Sequence, residues 1–380
     1  MDYTTQTLSF KIKKTLRYIR LYGIQRTVMK VKGQYHMKKE YETLPEMTPL
    51  AKHEGQVGLI GCGNYAFSNI AYYLHKNQRN MIRGAMDKDI NKAASLFERF
   101  GLQYYCDDAE KIISDPAIKL VYIASNHASH AEYAIKCIEA GKHVHIEKPH
   151  IVSHDQLDRL IAAMNAHPKS KVFLGFNRPR SRLFRKLQTF LAMQSGPLMI
   201  NWFIAGHEIP DDHWYFDKKE GGRVLGNLCH WTDLTLHLVS QEKAFPCTIV
   251  PVTPKNAKSD FMVSIIFADR SCASITFSAK GHTFEGVREV LNLHKGDVLA
   301  NLTDFEKLSV DVVEKRYRSK LFYRDHGHES NIIHSLNALK GSGPPGEDVK
   351  HIKATALLFL AIKESIDSGE KIVIAKESKT

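Results

Sequence analysis

A glycine-interrupted apolar segment near residue 60 constrains the fold of this chain most strongly. Residues 57–66, VGLIGCGNYA, begin as a continuous apolar run, break at Gly61 and Gly63, and resume with a helical pattern at Asn64. A helix that follows a strand and a glycine turn presents free backbone N–H groups to an anion. The segment therefore predicts a strand, turn and helix that bind the pyrophosphate of a dinucleotide.

Two further strand ends predict what else lies beside this turn. The carboxyl ends of parallel strands meet at one edge of a sheet, so Lys148, after the strand predicted over 142–146, should face the same cleft. Asp87 ends another predicted strand, 24 residues after Gly63, where a carboxylate can bind the adenosine ribose hydroxyls. A carboxylate repels a 2′-phosphate, so NAD is favoured over NADP, although Lys88 weakens that preference.

The order of helix and strand signals predicts the architecture. Strands and helices alternate up to residue 176, which is typical of a doubly wound parallel sheet, whereas longer strands of period 2 from about residue 196 indicate a mostly antiparallel sheet with an open face. We predict an α/β chain with a basic extension and linker (1–50), a Rossmann domain (51–176), an α+β substrate and oligomerisation domain (177–345), and a C-terminal helix near the domain junction (346–380).

Composition favours a cytoplasmic protein. No segment reaches the ~18 consecutive apolar residues of a membrane span, and the N-terminus lacks the apolar region of a secretory signal. The six cysteines are scattered without C-x-x-C spacing, which predicts reduced thiols and neither disulfides nor a metal site.

Positive charge is concentrated in the first 40 residues. They carry ten Lys or Arg against Asp2 and Glu40, so this segment holds +8 of the chain's formal +12. A helical wheel groups Leu8 with three further apolar residues, Ile12, Leu16 and Ile19, and turns Lys13, Arg17 and Arg20 away. This stripe is expected to pack on the protein's own body or a partner subunit; peripheral contact with the inner membrane surface through residues 8–32 remains the alternative. We expect the segment to be dispensable for catalysis and not to bind nucleic acid.

From residue 54 onwards the chain resembles the glucose-fructose oxidoreductase, inositol dehydrogenase and rhizopine-catabolism (Gfo/Idh/MocA) family. The matching motifs are ASNHASHAE at 124–132, GKHV at 141–144, EKP at 147–149, GFNR at 175–178, and GGR at 221–223 followed by CHWTDL at 229–234. The resemblance implies an NAD(P)-binding domain, an open-faced C-terminal sheet, and hydride exchange with a sugar, polyol or nucleotide-sugar. One departure is that Gly226 and Asn227 occupy the stretch where many family members carry an acidic residue before the histidine.

Candidate site residues follow from these motifs and their chemistry. For catalysis we predict Lys148, with an ammonium pKa lowered by burial and the nicotinamide charge, His230 as general base, and Asp233 as a substitute for the missing acid. The predicted cofactor-binding residues are Gly61, Gly63, Asn64, Tyr65, Asp87, Lys88, Ser125, Asn126, His127, His130, Glu147 and Lys148. The predicted substrate-binding residues are Asn177, Arg178, His207, Trp214, Arg223, Asn227 and His230.

The sequence leaves three functions open. The first is an NAD-dependent oxidoreductase acting on a CH–OH group of a sugar or nucleotide-sugar, expected to form a homo-oligomer through the C-terminal sheet. The second is a glycosidase or epimerase that keeps NAD bound and oxidises a hydroxyl transiently. The third is a dinucleotide-binding sensor without turnover.

Overall fold

The computed structural model describes residues 3–47, 54–255 and 257–375, which form two β-sheets with helices around them. The predicted linker around residue 50 and residues 376–380 of the predicted C-terminal segment lie wholly or partly outside the described residues. The predicted fold class is confirmed, because a parallel six-stranded sheet is followed by a mostly antiparallel one.

The first sheet is a doubly wound parallel sheet with strand order β3-β2-β1-β4-β5-β6. Its strands are β1 (Val57–Ile60), β2 (Ile82–Met86), β3 (Tyr104–Cys106), β4 (Leu120–Ile123), β5 (His143–Ile146) and β6 (Val172–Leu174). All four residues of β1 are buried, as expected for a central strand covered by helices on both faces. The strand order reverses between β1 and β4, which is where ligands bind in such sheets.

The helices of this half are those that the alternating pattern predicted, with some different lengths. They are α3 (Tyr72–Asn77), α4 (Ile90–Phe100), α5 (Glu110–Ile113), α6 (His127–Glu139) and α7 (His154–Ala166). A wide π-helical segment, Ala66–Ala71, precedes α3 directly after the glycine turn. Such wide turns are frequent at functional sites.

The second sheet has nine strands in the order β14-β13-β12-β11-β7-β10-β9-β8-β15, and only β7 and β10 pair in parallel among the described residues. Its strands are β7 (Met199–Ala205), β8 (Cys247–Pro251), β9 (Phe261–Ile266), β10 (Cys272–Ser278), β11 (Arg288–Lys295), β12 (Val298–Thr303), β13 (Lys307–Val312), β14 (Lys315–Lys320) and β15 (Ile372–Ile374). Along β7 exposed and buried residues alternate, so one face of the sheet packs inward and the other is open.

The helices of the second half cover the inner face of this sheet or pack on the first half. They are α8 (Arg182–Leu191), α9 (Cys229–Val239), α10 (Gln241–Ala244), α11 (His328–Leu336) and α12 (Val349–Ser368), and a π-helical segment, Val224–Leu228, leads into α9. Helix α12 contacts α7 of the first half and α9 of the second.

The N-terminal arm, residues 3–40, is a pair of helices, α1 (Leu8–Tyr22) and α2 (Ile24–His36). Gly23 separates them with a φ of +82°, a conformation that suits glycine. Lys38 donates a hydrogen bond to Thr4 at 2.5 Å, so the two helices run antiparallel as a hairpin.

The polar side of this arm contacts both halves of the protein. Arg17 forms an ion pair with the buried carboxylate of Glu285, and Lys14 Nζ donates to the carbonyl oxygen of Thr283 at 2.8 Å. On the other side, His36 Nε2 lies 2.7 Å from the carbonyl oxygen of Cys62, inside the glycine turn.

One expectation for this arm, packing of its apolar stripe on the protein's own body, was wrong, whereas packing on a partner subunit stays a prediction. The side chains of Leu8, Ile12 and Leu16 are 73%, 50% and 61% exposed and face outward. Arg17 faces away from this stripe, as the helical wheel predicted, and contacts the buried Glu285. None of the helices in the described ranges is long and apolar enough to cross a membrane.

Candidate functional site

A cavity of about 910 Å³ lies where the strands of the first sheet end and the second half begins. It contains the glycine turn, the end of β2, the turn after β4 and the end of β5. The predicted residues that line it are Gly61, Gly63, Asn64, Tyr65, Asp87, Lys88, Ser125, Asn126, His127, His130, Glu147, Lys148, His207, Trp214 and Asn227. Residues from four separate strand ends thus meet at one edge, as the parallel topology requires.

The two glycines of the turn meet different constraints. Gly61 has a φ of +91°, and a Cβ there would lie 2.5 Å from the backbone of Ala124 and Ser125. A Cβ on Gly63 would meet nothing within 4 Å. Gly61 is therefore required for close packing of two turns, whereas Gly63 leaves open space in the cavity, where a pyrophosphate can approach the backbone.

This difference predicts separable effects of substitution. Gly61→Ala should lower the melting temperature, because it combines a backbone clash with a left-handed conformation that costs about 1–2 kcal/mol. Gly63→Val should leave the melting temperature near that of the wild type but weaken NADH binding at least tenfold, measured by fluorescence titration. Unchanged NADH affinity in a folded Gly63→Val variant would exclude this turn as the pyrophosphate site.

Asp87 is fixed beside the turn by two backbone groups. Its Oδ2 accepts a hydrogen bond from the N–H of Cys62 at 2.7 Å, and its Oδ1 accepts one from Asp89 at 2.9 Å. A carboxylate has lone pairs for further donors, so it can still accept from ribose hydroxyls. Lys92 also lines the cavity, a second cation beside Lys88 that the sequence analysis missed.

The turn after β4 is held by an acid that the sequence analysis did not predict. The buried carboxylate of Glu220 accepts hydrogen bonds from the side chain of Asn126 at 2.7 Å and from the N–H of Ala128 at 3.1 Å. His127 Nδ1 lies 2.9 Å from the Glu220 carbonyl oxygen. His130 bridges the carbonyl oxygens of Ser125 and Pro149. These residues shape the cavity wall, with most of their polar atoms already engaged.

Lys148 extends across the cavity toward the segment before α9. Its Nζ donates a hydrogen bond to the carbonyl oxygen of Gly226 at 2.6 Å and lies 6.0 Å from the ring centre of Tyr215. Burial disfavours the ammonium, but Tyr215, Cys229 and Glu147 outweigh burial and raise the pKa of Lys148. The expected lowering, which also relied on the charge of a bound nicotinamide, stays a prediction for the complex with NAD. Lys148 is a charged hydrogen-bond donor here.

His230 and Asn227 present unused polar atoms near Lys148. His230 Nδ1 and Asn227 Oδ1 are buried and have no hydrogen-bond partner among the described residues. Burial, with the charges of Arg178 and Lys148, holds the pKa of His230 well below its usual value, so the imidazole is neutral. Buried polar atoms rarely remain unpaired, and the oxygen of Asn227, a residue that lines the cavity, suits a ligand that carries hydroxyl groups.

Asp233 does not line this cavity. Its Oδ1 lies 2.9 Å from His351 Nε2 and its Oδ2 lies 3.5 Å from His237 Nε2. Burial opposes the charge on His351, but the hydrogen bond with Asp233 outweighs it and raises the pKa of His351. The three side chains offer ligand atoms within 4.8 Å of one another, and the contact between Asp233 and His351 joins α9 to α12. Asp233 is therefore placed away from the cavity, which argues against the predicted catalytic role.

Four predicted substrate-binding residues also lie outside the cavity lining, namely Asn177, Arg178, Arg223 and His230. The ring of His230 packs edge-on against Phe176, with the ring centres 5.9 Å apart. Arg178 donates two hydrogen bonds to Glu289, at 2.8 and 3.1 Å, and Asn177 donates to the carbonyl oxygen of His326 at 2.5 Å. Arg223 is buried against the ring of Phe277. The donors of Asn177 and Arg178 thus hold the protein together, which the local sequence could not show because their partners lie more than 100 residues away.

Comparison with known proteins agrees with this arrangement. Residues 56–176 match the family model described as "Oxidoreductase family, NAD-binding Rossmann fold", with the model name GFO_IDH_MocA. Residues 56–176 belong to the Gfo/Idh/MocA family. The first sheet is accordingly an NAD-binding Rossmann fold, and the predicted family and cofactor are confirmed.

Individual relatives match parts of the chain. Oxidoreductase P35 of Formosa agariphila is 28% identical over 35% of this chain and 41% of its own length. Inositol 2-dehydrogenase of Ralstonia nicotianae is 26% identical over 54% of this chain and 60% of its own length. The matches thus span about half the length of these relatives.

A solved structure shares the fold over a longer range. GenD2 from gentamicin A biosynthesis, in complex with NAD, superposes with a TM-score of 0.71 at 17% identity and covers 89% of this chain and 100% of its own. At this identity the likeness concerns the fold alone.

Proposed function

We propose that this protein is an NAD(H)-dependent oxidoreductase that exchanges hydride with a hydroxyl-bearing carbon of a sugar or nucleotide-sugar. One observation carries the proposal: a single cavity contains the glycine turn and Asp87 at one end and Lys148 with Asn227 at the other. The first end suits the pyrophosphate and ribose of a dinucleotide. The second provides groups for moving a proton.

Different side chains have different roles in the proposed alcohol oxidation. Bound NAD supplies the hydride acceptor. The Lys148 ammonium, already a donor to the Gly226 carbonyl, would hydrogen-bond to the substrate oxygen and stabilise the negative charge that develops there. The neutral imidazole of His230 can accept the hydroxyl proton, and the unpaired Oδ1 of Asn227 can orient the hydroxyl. In the reverse direction His230 returns the proton.

Other features bear on cofactor and substrate choice. The fixed carboxylate of Asp87 disfavours a 2′-phosphate, so NAD should bind more tightly than NADP despite Lys88 and Lys92. His207 and Trp214 add planar rings at the substrate end. The inositol dehydrogenase among the relatives supports a substrate with several hydroxyl groups.

The open face of the second sheet supports the proposed homo-oligomer. Met199, Phe203, Ile266 and Leu299 are each about half exposed on three strands of this face. Aligned apolar side chains of this kind are typical of subunit interfaces.

The proposal is tested by incubating the purified protein with NAD or NADP and a panel of sugars, polyols and nucleotide-sugars. We expect NADH absorbance to rise with at least one compound, and the product to be two mass units lighter than its substrate. A product of lower mass through bond cleavage, or an epimer without net NADH, would instead indicate transient oxidation. Tight NAD binding with no change in any compound would favour the sensor.

A further inference from the structure

The outward face of the N-terminal arm carries a largely exposed apolar stripe. On α1 it comprises Leu8, Ile12 and Leu16, and on α2 Ile24, Val28, Val31 and Tyr35, each at least 41% exposed. Their spacing of three or four residues aligns them along one face of each helix. Single exposed apolar side chains are ordinary, but an aligned set on two adjacent helices marks an interaction surface.

The charge of the arm specifies which partner suits this surface. Residues 3–39 contain ten Lys or Arg and no Asp or Glu. Lys13, Arg20 and Lys32 are exposed beside the stripe and have no carboxylate partner among the described residues. A second copy docked through the same face would bring these like charges together, which is unfavourable. An anionic surface would neutralise them.

A small cavity between the two helices also favours an anionic partner. It has a volume of about 230 Å³ and is lined by Lys11, Lys14 and Lys30, with Val31 and Tyr35 of the stripe among its other walls. Burial and the nearby Arg26 lower the pKa of Lys30 to about 7. A phosphate group in this cavity would accept hydrogen bonds from these lysine side chains and favour their charged form.

We propose that the outward face of the arm docks this protein onto an anionic phospholipid bilayer. The apolar stripe enters the interfacial region while the flanking lysines and arginine contact headgroup phosphates. The inner face of the same hairpin contacts the glycine turn through His36 and the second half through Arg17. Docking therefore holds the dinucleotide cavity close to the membrane surface.

Vesicle sedimentation with the full-length protein tests this. We expect binding to vesicles of phosphatidylcholine with phosphatidylglycerol, little binding to phosphatidylcholine alone, and weaker binding as salt rises. Leu16→Glu with Val28→Glu should reduce the partition coefficient at least tenfold, because each buried apolar side chain contributes about 1.5–3 kcal/mol. Lys13→Gln with Arg20→Gln and Lys32→Gln should reduce it about 100-fold, at about 1 kcal/mol per charge.

Matched controls use exposed residues elsewhere. Val313→Glu, at a residue 76% exposed in the β13–β14 turn, and the triple variant Lys315→Gln, Arg316→Gln, Lys320→Gln on β14 should bind vesicles as the wild type does. NADH titration confirms that each variant is folded, and the glutamine variants change only exposed charges. The proposal would be overturned if the wild type did not bind anionic vesicles, or if the control variants lost as much vesicle binding as the arm variants. It would also be overturned if the stripe variant differed from the wild type only by a smaller mass in solution.

Discussion

Lys148→Met and His230→Gln should each lower kcat by about 10²-fold or more, the usual effect of losing a proton-transfer or charge-stabilising group. This corresponds to about 2.7 kcal/mol of transition-state stabilisation. NADH affinity should change little, because the glycine turn and Asp87 remain. Lys148→Arg should not restore the rate, since a guanidinium cannot replace the ammonium that fits against the Gly226 carbonyl.

Exposed residues of the same types serve as controls. Lys218→Met, in the segment that leads to Glu220, and His294→Gln on β11 should retain wild-type kcat. The low pKa of His230 also predicts that kcat does not fall through protonation of this imidazole near pH 6.5. Near-normal kcat in both site variants would reject the assignment of Lys148 and His230.

Removal of residues 1–40 should lower both stability and NADH affinity. The arm supplies one of three arginines that pair with buried Glu285, beside Arg324 and Arg288, and it supplies the only imidazole described beside the Cys62 carbonyl. Tyr3 and Met37 of the arm also line the dinucleotide cavity. Leaving a buried polar group unpaired costs about 1–3 kcal/mol. This result would contradict the expectation, drawn from charge and periodicity, that the segment is dispensable for catalysis.

A single substitution tests the contact between the arm and the glycine turn in a chain that still folds. His36→Leu removes the bonds to Cys62 and Ser95 but keeps an apolar group against Phe67. We expect the dissociation constant of NADH to increase several-fold to about tenfold. A tenfold increase is a loss of about 1.4 kcal/mol of binding free energy. His75→Leu, a neighbouring half-buried histidine packed on Phe100, is the control and should bind NADH normally. Wild-type affinity in both His36→Leu and the deletion would show that the arm does not support the turn.

The fold was predictable because its signals are local. Gly61, Gly63 and Asp87 belong to consecutive elements of one βαβ unit, and parallel topology alone brings the ends of β1, β2, β4 and β5 to one edge. Even the alternation along β7 indicated one open face.

The misassigned residues depend on distant partners. Arg178 is bound by Glu289, 111 residues later, and Asp233 by His351, 118 residues later. A motif shows which donors are present but not whether the fold already uses them. The orientation of the arm, with its apolar stripe outward, was unpredictable for the same reason. Arg17 pairs with Glu285, which lies 268 residues later in the chain. No local pattern contains that pairing.

The most direct test is an experimental structure of the protein with NAD. We expect pyrophosphate oxygens against the backbone at Gly61–Gly63, the adenosine ribose hydroxyls at Asp87, and the nicotinamide ring beside Lys148. A dinucleotide bound outside this cavity, or bound with its nicotinamide ring remote from Lys148, would contradict it.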